Sequence, residues 1–286
     1  MASLKEIKGR IGSVKSTLKI TSAMKMVASA RLHKAQSAVE GMLPYEKALD
    51  GMLEAVIPAG SSIEFLPYAP KAEEHLSHRA AVVALASNSA LCGAFNNNVI
   101  KETRKVVSDL EAEGLKVDVL PVGKKMADAM KRDGRAAAED LSRIVADAKY
   151  EDAATLAQKL TDAYLADTYD KVVLVYNHFL STASQKPVSD ILLPLSISSD
   201  ADGSDYILEP SADALLHDLL PKMLRLKVFT AVLDSVASEH SARTVAMQTA
   251  TDNGDRILSE LTLEYNKGRQ QKITSEILDL VGGLQQ

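Results

Sequence analysis

The stretch ASNSALCGAF, residues 86–95, follows a run of small apolar residues and holds the only cysteine of the chain, Cys92. A thiol just past a buried strand stands where α/β folds often place chemistry. As a nucleophile it would need a base beside it, and His178, which follows a later strand, is the candidate. The competing reading is a small apolar side chain filling the end of a strand. A second cluster, Glu73, Glu74, His75 and His78 in EEHLSH, sets two histidines three residues apart, which is half of a zinc site. It lies among prolines and no second pair stands at a recognisable spacing, so it reads as a solvated loop. Gly123-Lys124-Lys125 lacks the preceding glycine and the following hydroxyl of a phosphate loop, and GxxxxGK[ST] occurs nowhere in the chain. No metal, nucleotide or cofactor site is expected.

These residues depend on the elements that carry them. RAAVVALA (79–86), LKVDVLP (115–121) and KVVLVY (171–176) read as strands, and Val188 to Leu195 is a candidate fourth. Helical patterns over 97–113, 124–132 and 152–167 alternate with them, which implies parallel pairing and a three-layer, Rossmann-like α/β domain. Residues 57–78, with Pro58, Pro67 and Pro70, read as a linker, and 196–206 as an acidic, serine-rich loop.

Both ends of the chain are helical. Leu4, Ile7, Ile11, Val14 and Leu18 are spaced as a coiled-coil seam, which Ala28, Leu32, Ala35 and Val39 continue. Pro44 should kink or pause this helix. From Pro210 the pattern is helical to about Leu284, with a possible bend at Pro221 and with Gly254 and Gly268 each weakening it by about 1 kcal/mol relative to alanine. Its seam runs through Val228, Val232 and Val236, thins to Ala242, Ala246, Ala250 and Asn253, and is restored by Ile273, Ile277, Leu280 and Leu284. Two such helices bury their apolar sides most simply by pairing. The expected fold is a long antiparallel coiled coil of the N- and C-terminal helices with the α/β domain inserted: 1–57 helix, 58–78 linker, 79–208 α/β domain, 209–286 helix.

Composition removes other classes. At 286 residues, 46% hydrophobic and 25% charged, the chain is globular, and with no tryptophan and 4% aromatics it is helix-rich. One cysteine excludes an internal disulfide and suits a reducing compartment. The N-terminus MASLKEIKGRIG has no apolar signal core, and the longest apolar runs are far short of a membrane span. The net charge of −5 is uneven. Residues 1–39 carry eight basic side chains against Glu6 alone, a formal +7, which leaves −12 on the remainder. Without aromatics in residues 1–44 for stacking or interfacial anchoring, this basic helix suits a rod inside an acidic partner better than a nucleic-acid or lipid binder.

Four stretches carry a family resemblance: IKGRIGSVKSTLKITSAMKMVASARLHKAQ (7–36), NSALCGAFNNN (88–98), ASEHSARTVAMQTATDNGDRI (237–257) and YNKGRQQKITSEILDLVGG (265–283). In this order, and over essentially the whole chain, the sequence resembles the gamma subunit of the F-type ATP synthase, the central stalk of a rotary motor. The resemblance implies a coiled coil penetrating a ring of three alpha and three beta subunits, with the α/β foot touching the epsilon subunit and the membrane-embedded c-ring. It implies torque transmission without bond chemistry, no cofactor, no nucleic-acid partner, and a peripheral place on the cytoplasmic face of a bacterial inner membrane. Carried over by motif, Lys19, Met24 and Lys25 would face an acidic loop of a beta subunit. Arg243, Arg269, Gln270, Thr274 and Glu276 would make polar contacts with the ring, and the apolar tip from Ile277 through Leu280 to Leu284 would turn in a hydrophobic sleeve. Many members read TSDRGLCGGLN where this chain has ASNSALCGAFN, so the charged pair before Leu91 is missing, and with Cys92 alone no thiol control is expected.

Overall fold

The computed structural model describes residues 3–56, 67–71, 76–136, 138–195, 209 and 211–283. The acidic loop 196–206, most of the linker, and Glu73, Glu74 and His75 lie outside the described residues. The chain forms α1 (Leu4–Val56), β1 (Arg79–Leu85), α2 (Phe95–Ala112), β2 (Lys116–Val122), α3 (Lys124–Arg132), α4 (Ser142–Asp147), α5 (Tyr150–Leu165), β3 (Lys171–Ser181), β4 (Ser184–Leu193) and α6 (Ala212–Gly283). These divide into two compact units, Met1–Ser29 with Arg243–Gln286, and Ala30–Ala242. The unit that holds the sheet thus includes residues 30–56 of α1 and 212–242 of α6.

In that unit the strand order is β2-β1-β3-β4. β1 pairs in parallel with β2 and β3, as the alternating elements require, but β4 runs antiparallel to β3. The candidate fourth strand carried no expected direction, and its reversal has a simple reason. Only Thr182 and Ala183 separate β3 from β4, and a two-residue connection can only reverse the chain. β4 begins four residues before the candidate strand at Val188, and it tolerates Pro187 because it is an edge strand.

Side-chain alternation along β1 builds the layers. Ala80, Val82, Ala84 and Ala86 pack with Val99, Val107 and Leu110 of α2 and Met126, Ala129 and Met130 of α3. Ala81, Val83 and Leu85 face the opposite core, which holds Leu156 and Leu160 of α5, Leu32 and Ala35 of α1, and Leu224, Val228 and Val232 of α6. Helices on both faces of one sheet make the three-layer domain. α4 escaped sequence reading because six residues are too few to show a period; it buries only Ile144 and Val145.

Neither helix-internal proline interrupts its helix. Pro44 and Glu40, whose carbonyl loses its partner, are both exposed, so water replaces the missing bond. His217, four residues before Pro221, is exposed as well.

The described parts of the linker are packed. Tyr68 and Ala69 are buried, and Ala69 C=O accepts the Tyr164 hydroxyl at 2.6 Å. Asp170 fastens the entry to β1: its carboxylate accepts Ser77 N–H and the Ser77 hydroxyl at 2.9 Å each and Arg79 N–H at 3.2 Å, with Lys71 Nζ at 3.9 Å. Burial pushes this carboxyl up, but the hydrogen bonds and the Lys71 charge outweigh it and hold it below the usual carboxylate range. A lowered folded value means that the stabilisation is complete above the unfolded carboxyl value, about pH 4, and is lost as pH falls through the folded one. Asp170→Asn should therefore flatten the acid limb of a stability-against-pH curve measured by urea titration; an unchanged slope below about pH 4 would count against the assignment.

Candidate functional site

The Cys92 reading does not survive the fold. Cys92 is 1% exposed, with Sγ 3.1 Å from Asn96 Nδ2 and 3.8 Å from Ser87 Oγ. Ser87 N–H donates to Asn96 Oδ1 at 3.0 Å, Asn96 Nδ2 to Ser87 Oγ at 2.8 Å, and the Ser87 hydroxyl to Ser89 C=O at 2.6 Å. His178 is given to another partner: its Nδ1 lies 2.5 Å from Asp234 Oδ2. The thiol thus sits in an amide and hydroxyl network, and the proposed base is committed to α6. The lysines after Gly123 hold no phosphate cradle either, because the backbone N–H groups of Lys124 and Lys125 are taken by Asn88 Oδ1 and Ser87 C=O. His78 is exposed, its carbonyl accepts Lys116 N–H, and among the described residues no group of three or more potential ligands could hold a metal.

What remains is the surface of the other unit, a pair of helices. Leu4 meets the position of Gly268, Leu18 that of Gly254, Thr21 Oγ1 lies 2.9 Å from Thr251 Oγ1, and Lys25 Nζ donates to Gln248 Oε1 at 2.7 Å. Partner numbers fall from 268 to 248 as those in α1 rise from 4 to 25, which is an antiparallel register. The glycines expected only to weaken the helix allow this approach. A Cβ on Gly254 would lie 2.7 Å from Leu18 Cδ2, and one on Gly268 3.0 Å from Leu4 Cδ2. Among the described residues, Ile7, Ala28, Met247 and Leu261 are the buried apolar ones of this thin pair.

The register also corrects the seam. α1 begins at Leu4, opposite Gly268, so α6 continues beyond the start of its partner. Ile273 and Ile277, read as restoring the heptad, are 48% and 54% exposed, because among the described residues no partner helix reaches them. Asn253 is exposed and Gly254 takes the contact position. Every residue from Arg269 to Leu278 is exposed. Exposed apolar residues lie on α1 too: Ile20, Met26 and Val27.

The motif-derived residues fall into distinct settings. Lys19, Arg269 and Gln270 are exposed; Met24 and Lys25 are half-buried, and Lys25 is tethered through Gln248, whose own amide donates to Asp252. The Thr274 hydroxyl turns back to Gln270 C=O at 2.9 Å, and Glu276 is 3.6 Å from Lys272. Arg243 is 8% exposed, so the chain itself covers most of it. The side chain of Leu280, and Leu284 altogether, lie outside the described residues. Sequence reading missed Ile20, Val27 and Leu263, which is 70% exposed. The available signal was their position off the seam.

Residues 3–285 match the family model described as ATP synthase. The ATP synthase gamma chain of Phocaeicola vulgatus is 48% identical over 290 residues, covering 99% of both chains. The chain belongs to the ATP synthase gamma chain family. The gamma chain of Bacteroides thetaiotaomicron is 46% identical over 302 residues and the full length of both. Among solved structures, the chain is similar to one from the Euglena gracilis mitochondrial ATP synthase, OSCP/F1/c-ring, with a TM-score of 0.66 at 21% identity over 98% of this chain and 93% of that one. A second, from the rotor of the same synthase, gives a TM-score of 0.63 at 21% identity over 94% and 98%. At that identity the likeness is one of fold. No helix among the described residues is long and apolar enough to cross a membrane.

Proposed function

We propose that this chain is the central-stalk rotor of an F-type ATP synthase and performs no bond chemistry itself. One observation carries the reading: α6 outruns the start of α1, leaving a single helix whose Ile273, Ile277 and Leu278 are exposed, with no cover among the described residues. An unpaired helix end is marginal in water, and exposed isoleucine and leucine at its tip call for an external sleeve. A ring of three alpha and three beta subunits would supply it. Lys19, Met24 and Lys25 would then meet acidic loops of the beta subunits, while Arg269, Gln270, Thr274, Glu276, Ile277 and Leu280 would face the upper ring. Arg243, mostly covered, would support this surface from within. The sheet unit would form the foot, meeting the epsilon subunit and the c-ring, so that the protein is peripheral to the cytoplasmic face of the bacterial inner membrane and touches the membrane only through the c-ring.

A rotor must visit three equivalent partners without settling on one, since differential affinity for a state shifts the equilibrium toward it. The apolar area along the helix pair is broken by methionine, small residues and lysine, which gives contact that adapts as it slides. The test is reconstitution of alpha and beta subunits with this chain, carrying C92S and K131C, with a bead attached at position 131. ATP-driven, stepwise rotation in one direction is expected. Assembly without rotation, or hydrolysis indifferent to the chain, would overturn the reading.

A further inference from the structure

The middle of α6 is unusual for a buried helix. Between positions 234 and 243, Asp234, Ser235, Ser238, Glu239, His240, Ser241 and Arg243 are all buried. Asp234, Ser238 and Ser241 are spaced four and three apart, which puts them on one face. That face reads the main chain at the end of the β3–β4 hairpin. Asp234 Oδ1 accepts Phe179 N–H at 2.8 Å, the Ser238 hydroxyl donates to Asn177 C=O at 2.9 Å, and the Ser241 hydroxyl to Thr182 C=O at 2.6 Å. Side chains reinforce the seam: Asp234 Oδ2 holds His178, and Gln185 Nε2 donates to Ser241 Oγ at 3.3 Å. Asn177 is itself 1% exposed and lies opposite Pro187, which has no N–H.

We propose that Asp234, Ser238 and Ser241 form a torsional strap, positioning residues that fix the rotational angle of α6 against the sheet so that load on the foot turns the helix instead of rolling it over the sheet. The inference rests on the rotor reading above. Stability alone would not select this seam, because replacing buried hydrogen-bonded groups by well-packed apolar ones is commonly neutral or stabilising. Apolar packing is non-directional, so a helix held only by it can roll by repacking its side chains. Hydrogen bonds to main-chain atoms are directional and mark fixed points on the hairpin. Three such points along two turns leave the helix one angle about its axis. The same helix continues into residues 243–283, the part proposed to turn inside the ring.

The test uses the assembled complex on an immobilised ring, with the bead at position 131 and the angular spread read while the motor waits for ATP. The double variant S238A/S241A is expected to widen that spread roughly two-fold, with dwell positions and maximal hydrolysis unchanged. S238T/S241T, which keeps the hydroxyls, should restore the narrow distribution. D234N serves as the third arm, since it removes the charge and keeps an acceptor for Phe179. A matched control, Y164F, weakens the same unit away from the seam and should leave the spread alone. If the alanine pair turns with the wild-type spread, or if Y164F widens it equally, the strap is overturned while the rotor reading stands. A wild-type chain that fails to turn the bead would instead overturn the rotor reading.

Discussion

Gly123→Ala should destabilise the sheet unit by about 3–5 kcal/mol, shifting its urea midpoint far enough to leave much of the unit unfolded at physiological temperature. Gly123 sits at φ +100° between β2 and α3, and a Cβ there would stand 2.1 Å from the Ala86 carbonyl oxygen and 2.9 Å from its carbon. Both are main-chain atoms, fixed by their place at the end of β1: Ala86 N–H donates to Val122 C=O at 2.9 Å, and Lys125 N–H to Ser87 C=O at 3.0 Å. Relief would require the two strand ends to part, and the left-handed backbone adds its own penalty for a residue with a side chain. At Gly254 the nearest atoms are instead the ends of a leucine side chain, which can swing aside. The residue that resembled part of a phosphate loop thus exists for a close main-chain approach. A midpoint within about 0.5 kcal/mol of wild type would show that the turn can relax, and would remove this account.

Tyr164→Ala should cost a similar amount, about 3–5 kcal/mol, and Tyr164→Phe about 1–2 kcal/mol. The ring is fully buried, its hydroxyl donates to Ala69 C=O at 2.6 Å, and Lys71 Nζ lies 4.6 Å from the ring centre. Alanine empties the volume of a ring and abandons both partners, whereas phenylalanine removes only the donor. Burial, followed by the nearby Asp170 and Asp167 charges, pushes the phenol up to about 12. A folded value above the unfolded one, about 10, means that stability is complete below pH 10 and lost as pH rises toward 12. Denaturation curves across that window should fall less steeply for Tyr164→Phe than for the wild type. Equal slopes would mean that the phenol ionises as freely in the folded chain as in the unfolded one.

The residues that define the elements were legible because their signals are local. Alternation along RAAVVALA, the three-and-four spacing of Leu4, Ile7 and Ile11, and the boundaries of α3 depend on neighbours within a few positions. The family signatures are equally local strings, which is why the likeness to gamma chains could be read from four short stretches. Reversal of β4 was also written in the chain, as the two-residue connection at Thr182 and Ala183, but the polar run Ser184 to Pro187 hid the first half of the strand and left only Val188 onward legible.

Tertiary structure decided whatever depends on partners distant in the chain. The sequence carries the heptad into Ile273 and Ile277, yet register sets Leu4 against Gly268, so those side chains face outward. His178 belongs to Asp234 and not to Cys92, across 56 residues that no spacing rule connects. Asp234, Ser238 and Ser241 read as ordinary polar positions of a helix and prove to be a buried seam, because the hairpin end supplies main-chain donors and acceptors there. Composition and periodicity determine which elements form, since local backbone and side-chain preferences act over one or two turns. Which polar groups are spent inside the chain, and which apolar ones are left for a partner, is settled only when distant elements compete for the same surface.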